Sequence, residues 1–362
     1  KRIKREDLLT HLFSYYQALR MITSLLTYRE SKSYSPKIET SQYEGLNGVC
    51  PPVKIISPLQ YRKKVIILYP GASPYAEKHS KIEMLGIVLA QNGYKVFIPR
   101  IPPLKILDIS AVNVEWFICF YQWLLDAHQL ESQNVAMIGI SYGGGIMLKA
   151  YLQLKEFLPP PNILMTHGTY ADAESTLRFL LTGEITNHGV QYKITPHEWG
   201  LIVIFQNYLK NLDLDWDTAG VQEVIRLEIQ EKFDDRDKII SKLPRFQKNI
   251  VNSVLSGKGT AEVITLCQAM IQNEIATLQD LSPKYWCHEI QKKVFIFHGA
   301  NDSMVPFTES IQLAESIPDS ELLISNIYEH KEISTNKGTY FKLKEFMRMV
   351  DFFSKFYYYH EN

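Results

Sequence analysis

The 362-residue sequence is short of most features that mark membrane, nucleic-acid, metal or disulfide proteins. No apolar run approaches the roughly 20 residues needed to cross a bilayer, because even the richest segments carry Lys, Arg or Asp within a few turns. An excess of one charge is also missing. With 39 basic and 39 acidic side chains, the chain gives no reason to expect a nucleic acid as partner. Cysteine is sparse: Cys50, Cys119, Cys267 and Cys287 form no CxxC pair and no zinc-ligand spacing, so four buried or half-buried thiols are expected rather than a disulfide framework. No HExxH and no clustered His and carboxylate set suggests a metal, and no cofactor is implied. Gly257-Lys258-Gly259-Thr260 lacks the earlier glycine and preceding strand of a phosphate loop and reads as a turn between helices; Gly143-Gly144-Gly145 is no dinucleotide fingerprint. A cytoplasmic location is the expectation.

What is present is 46% apolar residues, enough for one large domain or a core domain carrying a large insertion. Leu8, Leu12, Tyr16, Leu19, Ile22 and Leu26 recur at three-to-four spacing, which predicts an amphipathic N-terminal helix over 1–30, docked by that stripe. Its basic start, Lys1-Arg2-Ile3-Lys4-Arg5, also suits an anionic membrane surface. A loop rich in Ser, Pro and Gly is expected from about 31 to 52. Beyond it, short nearly continuous apolar runs at 65–69, 94–98, 134–138, 162–165, 293–297 and 321–324 alternate with helical periodicity near 78–92, 108–129, 142–156, 307–317 and 337–359. That alternation predicts an α/β fold, a doubly wound and mostly parallel sheet. The alternation lapses from about 171 to 290, where a helical insertion is expected. Its aromatic residues Phe179, Trp199, Phe205, Trp216 and Trp286 are read first as the insertion's own core and second as a pocket lining.

The strongest local signal is Gly139-Ile140-Ser141-Tyr142-Gly143, directly after a strand and opening a helix. A serine on so sharp a turn takes a strained backbone and needs neighbours without a Cβ, which Gly139 and Gly143 supply. The turn would lift the Ser141 hydroxyl above the strand ends and leave the Tyr142 N–H at a helix N-terminus, aimed where an oxyanion develops. A serine hydroxyl needs a base and usually an acid, in the chain order serine, acid, histidine. Asp302 is the favoured acid, in the loop after the 293–297 strand, with Asp172 as its rival. Only His330 and His360 follow Asp302, and His360 sits in a Tyr-rich tail, so His330 is the expected base. A second oxyanion donor is expected from Tyr69-Pro70-Gly71-Ala72-Ser73-Pro74, at the N–H of Ala72.

Over roughly 60–168 and 291–359 these pieces together resemble the α/β-hydrolase superfamily: the serine turn, the Gly71-Ala72 turn, His298-Gly299 with Asp302 and Val305-Pro306, and a late His330. The resemblance implies a helical cap between core strands 6 and 7, where the 171–290 segment falls, and core over 31–170 and 291–362. It implies a serine hydrolase of the carboxylesterase, lipase or thioesterase type, cleaving a small-molecule carboxylic ester or thioester through an acyl-enzyme, and leans towards medium or longer acyl chains. The nucleophile being Ser rather than Asp argues against dehalogenase or epoxide-hydrolase chemistry. An acyltransferase or peptidase on the same triad, or a non-catalytic binding module, are the alternatives.

Overall fold

The structure is a computed structural model that describes residues 5–28, 36–326 and 338–361. In chain order it contains α1 (Arg5–Leu26), β1 (Lys37–Gln42), β2 (Pro52–Ser57), β3 (Val65–Tyr69), α2 (Ser80–Gln91), β4 (Lys95–Pro99), α3 (Pro102–Lys105), α4 (Val112–His128), β5 (Val135–Ile140), α5 (Tyr142–Leu154) and β6 (Ile163–His167). A long insertion follows, with α6 (Ala173–Thr182), a hairpin of β7 (Glu184–Asn187) and β8 (Val190–Lys193), α7 (Trp199–Tyr208), α8 (Ala219–Ile229), α9 (Phe233–Lys242), α10 (Arg245–Leu255), α11 (Ala261–Asn273) and α12 (Ile275–Leu281). The chain then returns through β9 (Val294–Gly299), α13 (Phe307–Ser316), β10 (Ser320–Ser325) and α14 (Thr339–Glu361).

Eight strands form one sheet in the order β1-β2-β4-β3-β5-β6-β9-β10. All neighbours are parallel except β1 with β2 and β2 with β4. Both faces are covered, which is why the central strands read as continuous apolar runs rather than as alternations. Side chains still divide with a period of two. Val65, Ile67 and Tyr69 of β3 belong to the core shared with α4 and α5, whereas Ile66 and Leu68 belong to the one shared with α1, α2 and α14. The insertion has its own apolar core, with Phe179, Ile204, Phe205, Val224, Ile250 and Met270 buried in it.

Several expectations change here. The 31–52 stretch is not all loop: β1 lies in it as the antiparallel edge of the sheet. Lys-Ile-Glu-Thr-Ser-Gln is almost wholly exposed, so no buried face wrote an apolar pattern into it. The insertion is not all helix either. Its hairpin turns at His188 and Gly189, both with positive φ (47° and 78°), the conformation that matches strand twist in a two-residue turn. Cys50 is exposed rather than buried, and all four cysteines are free. The greatest reversal concerns α1, which packs on α14 and α2 through Ser14, Ala18, Met21 and Ile22; Leu8, Leu12, Tyr16, Leu19 and Leu26 of the predicted stripe face outward. Among the described residues no helix is long and apolar enough to cross a membrane.

Candidate active site

β5 runs between β3 and β6 in the middle of the sheet and ends at Ile140; α5 starts two residues later. Ser141 joins them at φ 52° and ψ −129°, a conformation that crowds any side chain and persists only where the surroundings enforce it. The surroundings are backbone. A Cβ on Gly139 would lie 2.5 Å from Gly144 Cα, and one on Gly143 would lie 2.3 Å from the Pro70 carbonyl oxygen. The β3 loop therefore presses directly onto the first turn of α5, and the predicted role of both glycines has a steric basis. The turn is further held by the Ser141 N–H donating to His167 O at 2.8 Å, and by Gly144 N–H and Thr169 Oγ1 donating to Ser141 O, each at 2.9 Å.

Gly71 packs against the serine, since a Cβ there would lie 3.0 Å from Ser141 Cβ. The next residue, Ala72, lines the same cavity as Ser141 and Tyr142. Among the described residues, neither the Ala72 N–H nor the Tyr142 N–H has a backbone acceptor, whereas Ser73 N–H is engaged by Leu104 O at 3.0 Å. Ala72 and Tyr142 stand with Ser141 in the wall of one cavity.

Asp302 is buried in the loop after β9. Its Oδ1 accepts from Met304 N–H at 2.8 Å and Val305 N–H at 3.0 Å, which fixes the carboxylate from the backbone side. The other oxygen, Oδ2, lies against Gly168, the left-handed residue that ends β6 (φ 62°), where a Cβ would come within 3.1 Å. β6 is the strand beside the one that carries Ser141. The rival, Asp172, is occupied elsewhere: it caps α6 through Glu174 N–H at 3.1 Å and pairs with Lys284 Nζ at 2.6 Å. His330 lies outside the described residues. His360, the other late histidine, is buried at the far end of α14, stacked on Tyr94 at 5.5 Å.

Sequence reasoning singled out His298 only as part of a motif and missed Thr169 and Ser310. The three form a buried polar path between the serine turn and the acid loop. His298 Nε2 lies 3.0 Å from Val305 O, and its Nδ1 lies 2.6 Å from Ser310 Oγ. An imidazole carrying its hydrogen on Nε2 satisfies both, donating to the carbonyl and accepting from the hydroxyl. Ser310 Oγ stands 3.4 Å from Thr169 O, and Thr169 returns to Ser141 through its own hydroxyl. No periodicity or spacing marks such a path in the sequence.

The serine opens onto a small cavity of about 80 Å³. The core supplies Ala72, Ser141 and Tyr142; the insertion supplies Leu177, Leu180, Val203, Tyr208 and Leu278; the acid loop supplies Met304 and Val305. Among the described residues none that lines it is charged. The Tyr142 ring stacks on Tyr170 at 5.8 Å, and their hydroxyls donate to Ser110 O and Leu281 O. Burial raises both phenols well above their ordinary range, so they act as neutral walls. Phe179, Trp199, Phe205, Trp216 and Trp286 do not line the cavity; they pack in or against the apolar cores. Among the described residues no three His, Cys, Asp or Glu side chains gather as a metal site.

No protein-family model matches the chain, and no curated protein matches it. Solved structures do. Acylaminoacyl peptidase of Pyrococcus horikoshii superposes with a TM-score of 0.51 at 12% identity, covering 92% of this chain and 43% of its own. A puromycin-hydrolyzing peptidase of Mycobacterium tuberculosis gives 0.51 at 13% identity, covering 91% of this chain and 40% of its own. The chain therefore spans less than half the length of either. At such identity the likeness speaks to architecture, and with the sheet order and the serine turn it leads to one statement: this chain has the α/β-hydrolase fold.

Proposed function

We propose that the protein is a serine hydrolase that cleaves a neutral carboxylic ester or thioester through an acyl-enzyme. The observation that carries this reading is Ser141 itself, held at positive φ by contacts that exclude a Cβ and placed in the wall of an uncharged cavity. In this mechanism Ser141 Oγ attacks the acyl carbon as His330 accepts its proton. The N–H groups of Tyr142 and Ala72 hold the tetrahedral oxyanion, and Asp302 orients and stabilises the imidazolium. His330 returns the proton to the departing alcohol or thiol. Water then attacks the acyl-enzyme with His330 again as base, freeing the acid and Ser141.

The uncharged side chains that line the cavity among the described residues support an ester reading. Leucine, isoleucine, valine, alanine and methionine make up most of the lining, which suits a hydrocarbon acyl chain. The insertion, which supplies Leu177, Leu180, Val203, Tyr208 and Leu278, acts as the lid that sets the acyl length.

The test is labelling by a fluorophosphonate with peptide mapping, beside a p-nitrophenyl ester series. Labelling at Ser141, lost in Ser141→Ala, with turnover peaking at one chain length is expected. A folded wild-type protein that takes no label would move the reading to the binding module.

A further inference from the structure

α1 has two apolar faces, and the fold buries one of them. Ala18, Met21 and Ile22 are buried towards α14 and α2, while Leu8, Leu12, Tyr16 and Leu19 project into solvent, Leu12 being 59% and Tyr16 56% exposed. At about 3.6 residues per turn these four share one side of the helix, away from the packed one. α14 lies beside it: His11 stacks on Tyr358 at 4.0 Å, and Tyr15 Oη donates to Asp351 at 2.7 Å. On its own exposed side α14 adds Leu343 and Met347, one turn apart. A helix apolar on all sides is ordinarily buried, so the outward leucines call for an occupant.

Charge identifies the occupant. Arg20 and Lys344 are exposed on the same two helices and join no ion pair among the described residues, and the sequence before α1 reads Lys1-Arg2-Ile3-Lys4. The chain as a whole is neutral, so this excess is local. A two-fold dimer through this face would set the patch against its own copy and bring like charges together. A layer of anionic headgroups takes the cations instead, and admits leucine and tyrosine side chains at its boundary with the acyl region. We infer that the α1–α14 face binds the surface of an anionic lipid bilayer, with α1 lying in the headgroup plane. This inference is independent of the chemistry at Ser141.

The experiment is co-sedimentation of the full chain with vesicles of phosphatidylcholine alone or mixed with phosphatidylserine. Pelleting with the mixed vesicles, several-fold weaker with pure phosphatidylcholine and in raised salt, is expected. Leu12→Glu with Leu19→Glu should abolish it, and Arg20→Glu with Lys344→Glu should weaken it roughly tenfold. All four positions are exposed, so circular dichroism should be unchanged; the charge pair keeps the test valid should the leucine pair misfold. Ser141→Ala should pellet like the wild type, which separates this inference from the hydrolase reading. A wild-type chain that stays in the supernatant with both vesicles overturns it. So does a chain that elutes as a dimer and is made monomeric by the leucine pair, since the face would then be a self-interface.

Discussion

The serine turn and the helical insertion face each other across one cavity, yet they are held by opposite means. At the turn, position is set by backbone against backbone: Gly139 touches Gly144, Gly143 touches Pro70, and the buried Thr169 hydroxyl fastens the Ser141 carbonyl. In the insertion, position is set by side-chain packing around Phe179, Phe205 and Met270, and what it offers the cavity is leucine and valine. The first arrangement tolerates hardly any substitution. The second tolerates most apolar exchanges that keep the volume. Reactivity and selectivity are thereby separable in this molecule: one can change while the other stays.

Substitutions at both sides test that separation. The largest effect should come at the turn, where Ser141→Ala should cut kcat by about 10⁶-fold and Asp302→Asn by about 10⁴-fold with folding intact. An active Ser141→Ala would remove the mechanism. Across the cavity, Leu180→Ala should cost about 3 kcal/mol in a urea titration. The same variant should shift the preferred ester towards longer chains; an unchanged preference would mean that the insertion does not set length. Gly143→Ala should cost about 2 kcal/mol from overpacking and lower turnover on every ester alike. A selective loss there would break the comparison. Far from both regions, burial pushes the His360 imidazole down to about 3, and neither ring nitrogen has a hydrogen-bond partner among the described residues. Because the unfolded chain binds that proton near pH 6.5, stability should fall as pH drops from there towards 3. The loss is about 2 kcal/mol at pH 5. His360→Phe should remove that part of the acid limb and leave kcat at neutral pH untouched. The smallest effect is chemical: Cys50 should react with a thiol reagent in the folded protein, whereas Cys267 and Cys287, buried and raised to about 12 and about 11, should wait for unfolding.

The sequence made some of this plain and concealed the rest for physical reasons. Strands such as Val65–Tyr69 and Val135–Ile140 were legible because burial on both faces leaves an unbroken apolar run. The turn at Ser141 was legible because its glycines answer a steric need that few other residues meet. β1 was hidden by exposure, and the β7–β8 hairpin by a turn of only two residues inside helical surroundings. The cavity wall was hidden for a different reason: Leu177, Leu180 and Leu278 look in sequence like any other core leucine. Periodicity located the apolar stripe of α1 but could not tell an inward face from an outward one, since both are apolar.

Where the chain leaves the sheet it meets itself returning: Lys284 N–H donates to Ala171 O at 2.9 Å, Ala173 N–H donates to Ser282 Oγ at 2.9 Å, and Lys284 Nζ pairs with Asp172. Glu309 of α13 clamps the departing strand end by accepting from Ala171 N–H at 3.0 Å and Asp172 N–H at 2.7 Å. The more than one hundred residues between these points form a cassette with a single doorway. Because the entropy of closing a loop changes only slowly with its length, such a cassette can be shortened, extended or exchanged while the doorway and the strands behind it stay in register.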